Sequence, residues 1–128
     1  MFFIKKYQTA AVIEQQIKEG YEYYLLNLEG KTAGYLGIQP QNGFLKLSKL
    51  YILKEFRGNK IGEAALRFTE KRASEHGLSA IDLDVNRQNY RFIHFYEKNG
   101  YSIVEDLVFT FENGYTVEDY MMRKVLNM

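Results

Sequence analysis

Apolar and polar positions change period several times along this chain, and each change marks an element. From Thr9 to Glu19, Ala10, Ile13 and Ile17 keep helical spacing, and Gly20 follows as a stop. Tyr21 to Leu28 and Thr32 to Gln39 are aromatic and aliphatic runs joined by Glu29-Gly30-Lys31, which predicts an antiparallel hairpin. After Pro40 and Asn42-Gly43, the run Phe44 to Leu53 slips phase: Leu45 and Leu47 give way to Leu50 and Ile52 around Ser48-Lys49. Because side chains alternate between the two faces of a strand, such a slip predicts a bulge.

From Asn59 to His76 the residues Ile61, Ala64, Ala65 and Phe68 fall at i, i+3, i+4 and i+7, one face of a helix that stops near Gly77. Ala80 to Val85 alternates Ile81, Leu83 and Val85 with Asp82 and Asp84, a strand with one buried face. A second helix, Asn89 to Lys98, ends at Asn99-Gly100. Two last apolar runs, Tyr101 to Phe111 and Tyr115 to Leu126, flank the turn Glu112-Asn113-Gly114. The order of helix, three strands, helix, strand, helix and hairpin predicts one α/β or α+β domain spanning residues 1–128.

Composition narrows the chemistry. A 128-residue chain that is 46% hydrophobic and 16% aromatic has enough for one core. A net charge of +1 argues against a nucleic-acid partner. With no cysteine there is no disulfide, thiolate nucleophile or Cys-zinc site, and His76 and His94 are too few for a metal cluster, so no metal is expected. Met1 to Lys6 has only a short apolar stretch and lacks the features of a secretory signal, and no run reaches the ~18 to 20 apolar residues of a membrane span. A cytoplasmic protein without a membrane partner is the expectation.

Charge is uneven locally. Lys46, Lys49, Lys54, Arg57 and Lys60 fall within fifteen residues that hold a single acid, Glu55. They surround the joint where Leu50 to Leu53 runs through Lys54-Glu55-Phe56 into Arg57-Gly58-Asn59-Lys60-Ile61-Gly62 and then a helix. A helix N-terminus exposes unpaired N–H groups and the positive end of the macrodipole, so this turn is a candidate anion cradle; on its glycines alone it is equally a plain connection. Neither Gly-x4-Gly-Lys-Ser/Thr nor Gly-x-Gly-x-x-Gly occurs. Further on, Asn89, Ile93 and Tyr96 share one helical face, as joint ligands of one molecule or as an N-cap and a core aromatic.

Taken together, Leu50 to Gly62 and Asn89 to Tyr101 resemble the two cofactor motifs of the GNAT superfamily of acyl-CoA-dependent N-acetyltransferases, the first following Arg/Gln-x-x-Gly-x-Gly/Ala. The likeness covers about Tyr21 to Tyr101. It implies a mixed, mainly antiparallel sheet flanked by helices, acetyl-CoA as acyl donor and a small primary amine or polyamine as acceptor. Backbone groups of Leu50, Tyr51 and Ile52 would hold the pantetheine arm, and the turn Arg57, Gly58, Asn59, Lys60, Ile61 and Gly62 the pyrophosphate. Asn89 would hydrogen-bond the arm, and Tyr96 would sit by the thioester sulfur as general acid. The resemblance also implies a homodimer.

Two departures stand out. Lys60 occupies the middle glycine of the motif, and about twenty residues precede the first clear strand, an abbreviated N-terminal region. The base that deprotonates the acceptor is not identified; Glu22, Asp84 and Glu118 are candidates. Carboxylates and rings in Tyr21 to Tyr24 and Tyr115 to Met121 would suit a cationic amine. The rival reading is an acyl-CoA-binding module without catalysis.

Overall fold

The computed structural model describes residues 2–6 and 20–126. Within them lie strands β1 (Phe2–Lys6), β2 (Glu22–Leu28), β3 (Lys31–Pro40) and β4 (Leu45–Ile52), a 3-10 turn (Lys54–Phe56) and helix α1 (Ile61–Glu75). Strand β5 (Ala80–Asn86), helix α2 (Tyr90–Lys98) and strands β6 (Ser102–Thr110) and β7 (Thr116–Val125) follow. The seven strands make one sheet in the order β1-β2-β3-β4-β5-β7-β6. Only β4 and β5 run parallel, so the sheet is mixed and mainly antiparallel, as expected.

Local chemistry explains the joints. Glu29 (φ 52) and Gly30 (φ 80) both take the left-handed conformation that a two-residue hairpin needs, and Leu28 pairs with Lys31 across it. In β4 the phase slip is a bulge: Gly37 pairs with Lys49 but Ile38 with Leu47, leaving Ser48 as the extra residue. Leu45, Leu47, Leu50 and Ile52 therefore all reach the core side. On that side Leu26, Leu36, Ile38, Ile81, Leu83 and Met122 pack with Ile61, Ala65, Leu66 and Ala73 of α1. The opposite face carries Tyr23, Tyr35, Lys49, Tyr51 and Asp84.

Strand β1 is a correction to the sequence reading, which placed the first strand near residue 21. Phe2 to Lys6 lacks an alternating pattern, and its strand character comes from pairing with Leu28 to Tyr24 of β2. It thus covers the edge of β2 that faces away from β3. The helix expected over Thr9 to Glu19 lies outside the described residues. Other boundaries agree with expectation within about two residues. The last hairpin departs differently: β6 forms the far edge and leaves Val104, Val108 and Phe109 about half exposed. Among the described residues no helix is long and apolar enough to cross a membrane.

Candidate functional site

Strands β4 and β5 pair only at Leu45↔Ile81 and Lys46↔Asp82. Past these positions the bulge at Ser48 turns β4 aside and the strands part, opening a slot of about 330 Å³ through the sheet. Leu47, Leu50, Phe92 and Tyr96 line it from the core side, Tyr35, Lys49, Tyr51 and Asp84 from the other. Successive residues of a strand direct their backbone groups to alternate sides. The Leu53 N–H donates to the Ala33 carbonyl of β3 at 2.7 Å, so Tyr51 also faces β3, whereas Leu50 and Ile52 direct theirs into the slot. The Ile52 carbonyl accepts from Arg57 Nε at 3.1 Å.

The turn beyond β4 is braced from within. Phe56 N–H donates to the Leu53 carbonyl (2.9 Å), Arg57 N–H to the Lys54 carbonyl (3.2 Å) and Asn59 Nδ2 to the Phe56 carbonyl (3.1 Å). Gly58 has φ 88, and Lys60, the residue capping α1, sits at φ 60, ψ 21. The motif's middle glycine therefore matches a left-handed residue; a side chain there costs roughly 1–2 kcal/mol. The first intrahelical donor of α1 is Ala64, to the Lys60 carbonyl at 3.1 Å. The N–H groups of Lys60, Ile61, Gly62 and Glu63 precede it without intrahelical acceptors and are available to an anion.

A cleft of about 730 Å³ runs from this turn along α2. Four cations line it, Arg57, Lys60, Arg91 and Lys98, against the single carboxylate of Glu63. Phe92 and Leu50 line both cleft and slot, so the two adjoin along an apolar boundary. Arg91, Phe92, Phe95 and Lys98 were missed in the sequence reading. Their signal was present: Arg91, Phe95 and Lys98 fall at i, i+4 and i+7 of the helix carrying Asn89 and Tyr96.

Asn89 caps α2 with Oδ1 accepting from the Phe92 N–H at 3.5 Å and borders the slot, so capping and a ligand-facing position coincide in one residue. Tyr96 is 7% exposed and packed against Phe92, Phe95 and Tyr101, with ring centroids 5.4 to 6.2 Å apart. Burial pushes its phenol up to about 12.

Of the three candidate bases, the structure brings only Asp84 to the slot. Glu22 is held by both oxygens at Arg72 (3.0 and 3.1 Å to Nη2), with Tyr24 and His76 beside it. Burial pushes the Glu22 carboxyl up, but the hydrogen bonds from Tyr24 and Arg72 outweigh it and hold the group below the usual carboxylate range. Arg72 lies eleven residues along α1 from Ile61, about 16 Å at 1.5 Å per residue, at the helix end remote from the turn. Glu118 faces Arg87 at 3.7 Å, and Tyr115 is largely exposed beside the β6–β7 turn, so the two aromatic-acidic segments do not converge.

Residues 2–101 match the profile of the Acetyltransferase (GNAT) family. The chain belongs to this family. The GNAT match begins at β1, ahead of the span legible from the motifs. An uncharacterized N-acetyltransferase of Lactobacillus delbrueckii subsp. lactis is 26% identical over 113 residues, covering 81% of this chain and 64% of that protein. An uncharacterized N-acetyltransferase of Mycobacterium tuberculosis is 29% identical over 99 residues, covering 77% and 63%. The chain thus spans a little under two thirds of these relatives. In fold it is similar to the ribosomal-protein-S18-alanine N-acetyltransferase of Escherichia coli (TM-score 0.80, 17% identity, 100% and 96% covered). It is also similar to a GNAT family acetyltransferase from Elizabethkingia anophelis with acetyl-CoA bound (TM-score 0.79, 13% identity, 98% of each chain covered).

Proposed function

We propose that this protein is an N-acetyltransferase that moves an acetyl group from acetyl-CoA to the primary amine of a small molecule. The observation that carries the reading is a cationic cleft at the α1 N-terminus that adjoins, at Leu50 and Phe92, a slot lined by Tyr96 where β4 and β5 part. The acetyl-CoA seen in the Elizabethkingia neighbour supports the choice of donor.

The residues present fit that donor. The N–H groups of Lys60 to Glu63 and the Lys60 ammonium would take the pyrophosphate, and the slot-facing backbone of Leu50 with Asn89 the pantetheine arm. Arg91 and Lys98 would provide the cations for the 3′-phosphate. When bound, the thioester supplies the activated acetyl group, and the chain's own groups orient it and move protons.

Tyr96 is protonated at neutral pH and would donate its hydrogen bond to the departing sulfur. A thiol near pKa 8.5 is the stronger acid by about 3.5 units, so complete transfer from Tyr96 alone is uphill by roughly 5 kcal/mol. Tyr96 therefore acts as a relay: it gives its proton to sulfur as the cationic nitrogen of the new amide returns one. Most of the rate would come from holding amine and carbonyl in contact within the slot.

We extend the proposal to a homodimer. Support comes from β6, an edge strand with Val104, Val108 and Phe109 exposed, which a second copy would cover by strand pairing. Val108→Lys with Phe109→Lys should then give a monomer by size-exclusion with light scattering.

The decisive experiment measures CoA release from acetyl-CoA with a panel of amines, beside acetyl-CoA binding by calorimetry. Binding with release for at least one amine is the expected result; binding without release from any amine would leave a non-catalytic acyl-CoA-binding module.

A further inference from the structure

On the face remote from α1 the slot opens among Tyr35, Lys49, Tyr51 and Asp84. The two tyrosines form its rim, ring centroids 5.8 Å apart, each more than 40% exposed. Asp84 is the one carboxylate lining the slot among the described residues, and Lys46 Nζ sits 3.2 Å from its Oδ2. Lys49 points to the same face as Tyr51, two residues away. Its ammonium rests 5.9 Å from the centre of the Tyr23 ring, and no carboxylate among the described residues lies within salt-bridge distance.

The charge at this mouth decides between classes of acceptor. Lys46 and Asp84 cancel, and Lys49 leaves a residual positive charge. A polyamine would bring its further ammonium groups against Lys46 and Lys49. One lysine without a carboxylate partner among the described residues suits one carboxylate, whereas a phosphate would call for more cations.

We infer that the acceptor is a free α-amino acid, its ammonium received by Asp84 and its carboxylate by Lys49, with the amine directed through the slot toward Tyr96. The inference rests on the acetyl-transfer reading of the slot. Asp84 holds the nitrogen while the ammonium gives one proton to water, and the freed lone pair forms the N–C bond to the acetyl carbon. The C–S bond breaks with its electron pair going to sulfur, which takes the Tyr96 proton; the nitrogen's second proton restores Tyr96. One ammonium and one thioester thus yield one amide, one thiol and one proton.

The test compares CoA release for free amino acids, the matching amino-acid amides and spermidine. An amide keeps the amine and lacks the carboxylate. Expected is a kcat/KM about fivefold higher for the acids than for their amides, as for a partly exposed ion pair. Lys49→Met should narrow that gap to about twofold, and Lys49→Glu should reverse it toward amides and spermidine. Asp84→Asn should lower kcat/KM on acids and amides alike. Unaltered melting temperature and acetyl-CoA affinity show that each variant is folded. Equal kcat/KM for acid and amide, a preference for spermidine, or an acid preference that survives both Lys49 substitutions overturns the inference while leaving acetyl transfer intact. Acetyl-CoA binding without release from any amine overturns both.

Discussion

The ring of Phe95 fills the space that a Cβ on Gly62 would need, its Cζ lying 2.9 Å from that position. The first turn of α1 and the middle of α2 are thereby held at a separation that only glycine permits, and this separation sets the width of the cationic cleft. Gly62→Ala should force Phe95 into the cleft and weaken acetyl-CoA binding about tenfold by calorimetry. Phe95→Leu in the same chain should restore most of the loss, because the two residues share one volume.

Lys60 makes a second, opposed prediction at the same turn. Lys60→Gly relieves the left-handed strain and should raise stability by about 1 kcal/mol in chemical denaturation. It also removes a cation from the cleft. CoA affinity should fall several-fold at low salt, and the salt dependence of binding should become shallower. Stability and affinity moving in opposite directions would distinguish a residue kept for its charge from one that is merely tolerated.

Tyr96→Phe should cut kcat about a hundredfold while leaving acetyl-CoA binding within about twofold. The same variant tests the buried phenol by stability. Burial raises the folded-state value to about 12 from about 10, so the native protein keeps a proton that the unfolded chain loses first. That contribution is fully present below pH 10 and disappears as pH rises toward 12. The alkaline fall in melting temperature should be shallower in Tyr96→Phe, though not abolished, since burial raises Tyr24 and Tyr101 in the same direction.

In the proposed binding mode Arg91 and Lys98, which line the cleft, would meet the 3′-phosphate and the turn before α1 the pyrophosphate. The proposed protein should bind CoA about tenfold more tightly than 3′-dephospho-CoA. Replacing Arg91 and Lys98 together by alanine should remove that preference and leave dephospho-CoA binding nearly as it was. A preference that persists would place the 3′-phosphate elsewhere.

Much of this was legible because the signals are local. The slip from Leu47 to Leu50 announces the Ser48 bulge within one strand, and the turn before α1 shows its glycines and lysines in sequence. What was not legible depends on distant partners. Strand β1 owes its form to residues 24 to 28, too far along the chain for any local period to reveal. The meeting of Asp84 with Lys46 spans 38 residues, and their place beside the slot depends on where β4 and β5 stop pairing. Glu22 looked as available as Asp84 until α1 brought Arg72 onto it.

The gap between β4 and β5 makes the sheet a partition with a window in it. In the proposed reaction the donor stays in one room and the acceptor in the other, touching only at the sill. Substitutions at Tyr35, Lys49 or Tyr51 can then change which molecule is modified without disturbing the residues that hold the donor, and the two halves of specificity can be inherited and altered separately.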